Sequence, residues 1–92
     1  NPMPKIRVKL FANFREYAKT KELELEGATV REILASLCNS FPGFEKLVFD
    51  NGTVRSHINI FINGNNIHGS GGLERELRPD DELAIFPPVS GG

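Results

Sequence analysis

Two short stretches of strict alternation, one basic and one acidic, constrain this chain more than any other feature. Ile6, Val8 and Leu10 alternate with Lys5, Arg7, Lys9 and Phe11, and Leu23 and Leu25 alternate with Glu22, Glu24 and Glu26. Period two is the repeat of a strand with one buried face. Paired antiparallel with their apolar sides inward, the two strands set a basic row against an acidic row on the outer face. Each opposite-charge pair there adds roughly 0.2–1 kcal/mol. The same pairing absorbs an uneven charge distribution. Residues 1–21 carry six basic side chains and one acid, and the rest carry five and eleven, for a formal net charge of -1. The connection from Asn13 to Thr20 is long for a hairpin and predicts a helical turn around Phe14 to Tyr17.

A different period follows. Thr29-Val30-Arg31-Glu32 reads as a capping box, with hydroxyl and carboxylate satisfying each other's free N–H groups. Val30, Ile33, Leu34, Leu37, Cys38 and Phe41 then recur at helical spacing, a stripe made to lie on a sheet. Pro42-Gly43 ends the helix. The stretch from Phe44 to Ser56 reads as irregular, with Phe44, Leu47 and Val48 packing as a helical turn and Asp50-Asn51-Gly52 as a turn. Ile58, Ile60 and Ile62 alternate with His57, Asn59 and Phe61, a third strand. Asn63-Gly64 is a hairpin signal, and a short strand is expected over Asn66 to His68. Gly69-Ser70-Gly71-Gly72 is a loop, and Leu73 to Leu77 reads as one helical turn. Pro79-Asp80-Asp81 is a tight turn, and Glu82 to Phe86 is the last strand. Strand, strand, helix, strand, short strand, strand makes an α+β layer architecture with one helix on one face of a mixed sheet. It predicts a ubiquitin-like β-grasp, with the first and last strands parallel neighbours at the centre.

With 92 residues there is room for one domain. Residues 3–88 are expected to form it, with 89–92 as a flexible di-glycine tail. Asn1-Pro2, ahead of Met3, reads as a remnant foreign to a natural start. The single cysteine, Cys38, cannot form an internal disulfide or a cysteine cluster, and rules out a two-iron ferredoxin, which needs four thiolates. On its apolar stripe, Cys38 reads as a small buried hydrophobe rather than a nucleophile. No apolar run approaches the roughly 18 residues of a membrane helix. The near-neutral charge gives no argument for nucleic acid, so neither a membrane nor nucleic acid is expected as partner, and the expected setting is cytoplasmic. His57 and His68 have no acidic partner at fixed spacing, so no metal is expected. Glu74, Glu76, Asp80, Asp81 and Glu82 read as a solvated acidic face. The glycine loop has neither the GxxxxGK[ST] pattern nor a following helix, so no nucleotide is expected there.

The end of the chain carries the chemistry: Phe86-Pro87-Pro88-Val89-Ser90-Gly91-Gly92. Two prolines stiffen the exit from the sheet and forbid further pairing. Two glycines without side chains can enter a narrow channel and present a carboxylate to the α-phosphate of ATP. A carboxylate is a poor acyl donor and an acyl-adenylate a good one, which sulfide or a cysteine can attack.

Leu10-Phe11-Ala12 with Arg15-Glu16, Thr29-Val30, Asn63-Gly64 and the run Asp80 to Gly92 resemble the small subunit of molybdopterin synthase. Val48 to Gly52 and His57 to Ile60 look more like its archaeal branch, which includes the small archaeal modifier proteins. The resemblance implies that Gly92 is adenylated by a ubiquitin-activating-type (E1-like) enzyme using ATP, with no cofactor bound to this chain and no catalytic residue of its own. It implies recognition of Pro87, Pro88, Val89, Ser90 and Gly91. It further implies a thiocarboxylate donated within a complex with the large synthase subunit, an isopeptide bond to a target lysine, or both. The alternatives are a thiamine-pathway sulfur carrier and a non-covalent β-grasp interaction domain. Strand parity adds a docking patch. With Ile6, Val8, Leu10, Ile58, Ile60, Ile62, Leu83 and Ile85 pointing inward, Phe11, Phe61 and Phe86 point outward together, unless the Phe14–Tyr17 segment folds over them.

Overall fold

In the computed structural model, which describes residues 3–69 and 71–87, the hairpin of opposed charges starts the fold. β1 (Lys5–Leu10) pairs antiparallel with β2 (Glu22–Glu26), setting Lys5, Arg7 and Lys9 opposite Glu26, Glu24 and Glu22. Between them lies α1 (Ala12–Ala18), a fuller helix than one turn. It ends at Lys19, whose φ of 59° lets the chain reverse. α2 (Val30–Ser40) crosses the sheet, and α3 (Phe44–Val48) leads into β3 (Phe49–Asp50) and β4 (Thr53–Val54). β5 (Asn59–Ile62), β6 (Asn65–Asn66), a 3-10 turn at Gly72–Glu74 and β7 (Glu82–Phe86) complete the order. The main sheet runs β2-β1-β7-β5-β6, with β7 parallel to β1 and antiparallel to β5. This is the β-grasp, with the last strand at the centre.

The core lies between sheet and helices. Ile6, Val8 and Leu10 of β1, Ile60 and Ile62 of β5, and Leu83 and Ile85 of β7 are buried against Val30, Ile33, Leu34 and Leu37 of α2. Ile58 is buried one residue before β5 begins.

Several expectations need correction. Leu23 and Leu25 face inward but are only half-buried, because β2 is an edge strand and the helix layer does not reach over it fully. Cys38 and Phe41 are half-buried rather than core, since the stripe of α2 drifts off the sheet toward its C-terminus. The capping box is offset. Thr29 Oγ1 accepts from the Glu32 amide at 3.2 Å, but the Glu32 carboxylate accepts from the Ala28 amide, one residue farther back, at 2.7 Å. The stretch read as irregular holds α3 and the β3–β4 hairpin. β6 is Asn65–Asn66, so His68 lies beyond it, and the segment after the glycine loop is a 3-10 turn bridged to Thr29 through Glu76. The expected remnant at Asn1-Pro2 and the tail from Pro88 to Gly92 fall outside the described residues.

Candidate functional site

The face of the sheet away from α2 is built by the outward residues of three adjacent strands. Phe11 closes β1 as the extended cap of α1, with φ -129° and ψ 153°. Phe86 is the last residue of β7, and Phe61 stands on β5. The structure brings these three rings together. Phe11 and Phe86 stack nearly parallel, with centroids 4.3 Å apart and 8° between planes. Phe61 meets Phe86 edge-on at 5.5 Å and 82°. Offset-stacked and edge-to-face contacts are the geometries the aromatic quadrupole favours over a face-to-face sandwich. Each ring is half-buried, by the other rings rather than by a covering element.

α1 does not fold over them. Phe14 is buried on the opposite side against Phe44, at 5.2 Å. The Tyr17 hydroxyl donates to the Pro42 carbonyl at 2.6 Å, which anchors that helix toward α3. Gly43, at φ +94°, is where the backbone makes room for Tyr17, since a Cβ there would collide with the phenol oxygen.

The result is an open groove of about 490 Å³ along β7. Ala84 makes its floor. It sits opposite Lys9 on one neighbour and Phe61 on the other, so the smallest side chain of the central strand lies between two long ones. Asn59 and Pro87 complete the walls near the exit of the chain from the sheet. Strand parity predicted the phenylalanines but not this floor. Alanine is uninformative in a strand until its neighbours are known.

One end of the groove is charged. Lys9 Nζ lies 3.3 Å from the Glu82 carboxylate, and Arg7 bridges Glu22 at 3.3 Å and Glu82 at 3.7 Å. These pairs are solvent-exposed and contribute little to stability individually. They set a mixed-charge rim beside an apolar centre. The hairpin end of the same face is latched. Asn63 Nδ2 donates to Asp81 Oδ1 at 2.9 Å, and Asn63 Oδ1 accepts from the Glu82 amide at 3.0 Å. The other Asp81 oxygen accepts from the Arg78 amide at 2.8 Å. The latch ties the β5–β6 turn to the start of β7 and so holds Phe61 opposite Ala84, where its ring meets Phe86. Asp81, read from sequence as part of a solvated acidic run, is the latch's acceptor.

Nothing else among the described residues gathers as a reactive centre. No group of three described His, Cys, Asp or Glu side chains is placed to hold a metal. Among the described residues no helix is long and apolar enough to cross a membrane. Burial pushes the Cys38 thiol up from its ordinary range, and the nearby Glu45 carboxylate pushes it further. That is the opposite of what a nucleophile needs. Gly92, Gly91, Ser90, Val89 and Pro88 lie outside the described residues; Pro87, the last described, lines the groove.

Comparison with known proteins adds kinship to this geometry. The ThiS family model matches residues 8–92. The chain is 41% identical over 88 residues to small archaeal modifier protein 1 of Haloferax volcanii, covering 91% of this chain and 97% of that protein. It is 34% identical over 90 residues to a molybdopterin synthase sulfur carrier subunit of Arabidopsis thaliana, covering 95% and 82%. The solution structure of small archaeal modifier protein 1 from Methanosarcina acetivorans matches with a TM-score of 0.91 and 44% identity over the whole of both chains.

Proposed function

Because this chain belongs to the ThiS family, we propose that it is a ubiquitin-like carrier whose Gly92 carboxylate is activated as an acyl-adenylate by a partner enzyme at the expense of ATP. The chain supplies the acyl group and the docking face. The partner supplies the catalytic residues and the nucleotide site, and this chain holds no cofactor. The observation that carries the reading is the aromatic groove at the end of β7, beside the residue that leads into the Gly-Gly terminus. An enzyme gripping Phe11, Phe61 and Phe86 has the start of the tail, Pro87, already in hand. Recognition of Pro88, Val89, Ser90 and Gly91 then threads the glycines to the adenylating centre.

Two fates follow from one intermediate. Sulfide delivered to the adenylate displaces AMP and leaves a thiocarboxylate, the form a sulfur carrier donates within a complex with a large molybdopterin synthase subunit. A lysine amine, reached directly or through a thioester relay, gives an isopeptide bond. The likeness to a modifier at 41% identity and to a sulfur carrier subunit at 34% supports keeping both. The test is to incubate the chain with the activating enzyme of its own cell, ATP and a sulfide source, and to weigh it intact. Exchange of the terminal oxygen for sulfur is expected, and none after removal of Gly92. Gly-Gly remnants on lysines of digested cell protein would establish the second fate. A shortened chain that still formed the adenylate would refute the mechanism.

A further inference from the structure

The chain contains the dipeptide Asn-Gly twice, at Asn51-Gly52 and Asn63-Gly64, each at the tip of a two-residue hairpin. Backbone conformation does not separate them. Both asparagines are left-handed, at φ 53° and 51°, and both glycines follow at φ 80° and 86°. Exposure does not separate them either, since all four residues are exposed. What differs is restraint. The Asn63 amide is held at both ends, by Asp81 and by the Glu82 amide, and its own backbone N–H donates to the Glu82 carbonyl at 2.9 Å. Its hairpin belongs to the five-stranded sheet. Asn51 has no side-chain hydrogen bond among the described residues. Its hairpin is a separate ladder of two residue pairs, Phe49 with Val54 and Asp50 with Thr53. Gly52 has open space around its Cα, and a methyl group added there would meet nothing within 4 Å.

We infer that Asn51 is a site of spontaneous amide loss, and that the same dipeptide at Asn63 is protected by its latch to Asp81 and Glu82. The chemistry needs no co-reactant but water. The Gly52 amide nitrogen loses its proton and attacks Cγ of Asn51. A C–N bond forms, the side-chain nitrogen leaves as ammonia, and a five-membered succinimide remains. Water then opens the ring at either carbonyl, giving an aspartyl or an isoaspartyl residue at position 51. The attack requires the side-chain carbonyl to swing onto the following nitrogen. A side chain tied at both its oxygen and its nitrogen cannot do so without breaking two hydrogen bonds, whereas a free one on a short hairpin can. The product matters locally. It puts a carboxylate beside Asp50, and the isoaspartyl form adds a backbone atom to a turn that has room for two residues. Gly52 also borders a groove formed with Arg31, Cys38, Glu45 and Phe49, so that groove would gain negative charge.

The folded full chain should be held at mildly alkaline pH, sampled over time, digested and mapped by mass spectrometry. Conversion at Asn51 is expected to outpace Asn63 by about tenfold or more, the factor that two net hydrogen bonds restrain. In denaturant the two rates should converge, because the restraint is tertiary. Asp81→Ala should raise the rate at Asn63 and leave Asn51 unchanged. Gly52→Ala, whose Cβ meets no neighbour but whose φ of +80° is strained for any L side chain, should suppress the Asn51 signal with a modestly lowered but still cooperative melt, which reports that the fold survives. Equal rates in the folded chain, faster conversion at Asn63, or a gap that persists in denaturant would each overturn the inference.

Discussion

Replacing Phe86 with alanine separates docking from folding. In the free chain Phe86 is half-buried and touches two rings, stacked on Phe11 at 4.3 Å and edge-on to Phe61 at 5.5 Å. A fully buried phenylalanine costs about 3–5 kcal/mol when cut to alanine. Half of that burial gives a loss of roughly 1.5–2.5 kcal/mol. In a domain of this size each kcal/mol lowers the melting temperature by about 4–8 °C, so a fall of roughly 6–20 °C is expected. Ile60, 2% exposed at the middle of β5, is the core reference. Ile60→Ala should cost about 2–5 kcal/mol and fall further. Binding should order the two the other way. A central aromatic anchor loses about 2 kcal/mol or more on truncation, a weakening near thirtyfold for the activating enzyme or large subunit. Ile60→Ala, with no atom on the docking face, should leave affinity nearly unchanged at temperatures where it is folded. Calorimetric titration and thermal melts of the two variants decide. Unchanged affinity for Phe86→Ala, with a melt reduced as far as that of Ile60→Ala, would make Phe86 a core residue and refute the docking face.

Removing Gly92 should abolish adenylate formation while leaving the melt untouched, as read by pyrophosphate release with the activating enzyme and by calorimetry. Thr29→Ala removes the acceptor for the Glu32 amide and should cost about 1 kcal/mol, read as a denaturant midpoint shift at constant slope. Cys38 should alkylate slowly at neutral pH because burial, then Glu45, hold its thiol up. Glu45→Gln removes the smaller of those two causes, so the thiol falls toward its ordinary range and alkylation quickens; an unchanged rate would leave burial as the whole cause.

The paired rows of charge, the helical stripe and the Asn-Gly turn were legible in the amino-acid order because each depends only on residues a few positions apart. Alternation at Ile6–Leu10 and at Leu23–Leu25 dictates which side of each strand is apolar, and period 3.6 from Val30 to Leu37 dictates a helix to cover it. With the same alternation at Ile58–Ile62 and Leu83–Ile85, the β-grasp and the outward parity of Phe11, Phe61 and Phe86 follow. How deeply a residue is buried did not follow, because burial depends on a strand's place in the sheet. Leu23 and Leu25 share the pattern of Val8 and Leu10, yet they are only partly buried because β2 is at the edge. Phe14 is core and Phe11 surface because α1 turns toward Phe44, a contact between distant segments that no local period encodes. The groove itself required β1, β5 and β7 to lie side by side, so that Ala84 became a floor between Lys9 and Phe61. The protection of Asn63, by contrast with Asn51, came from an aspartate eighteen residues away. Local order set the faces of each element; only the packing of distant segments decided which of those faces are covered, which form the groove, and which side chains are held.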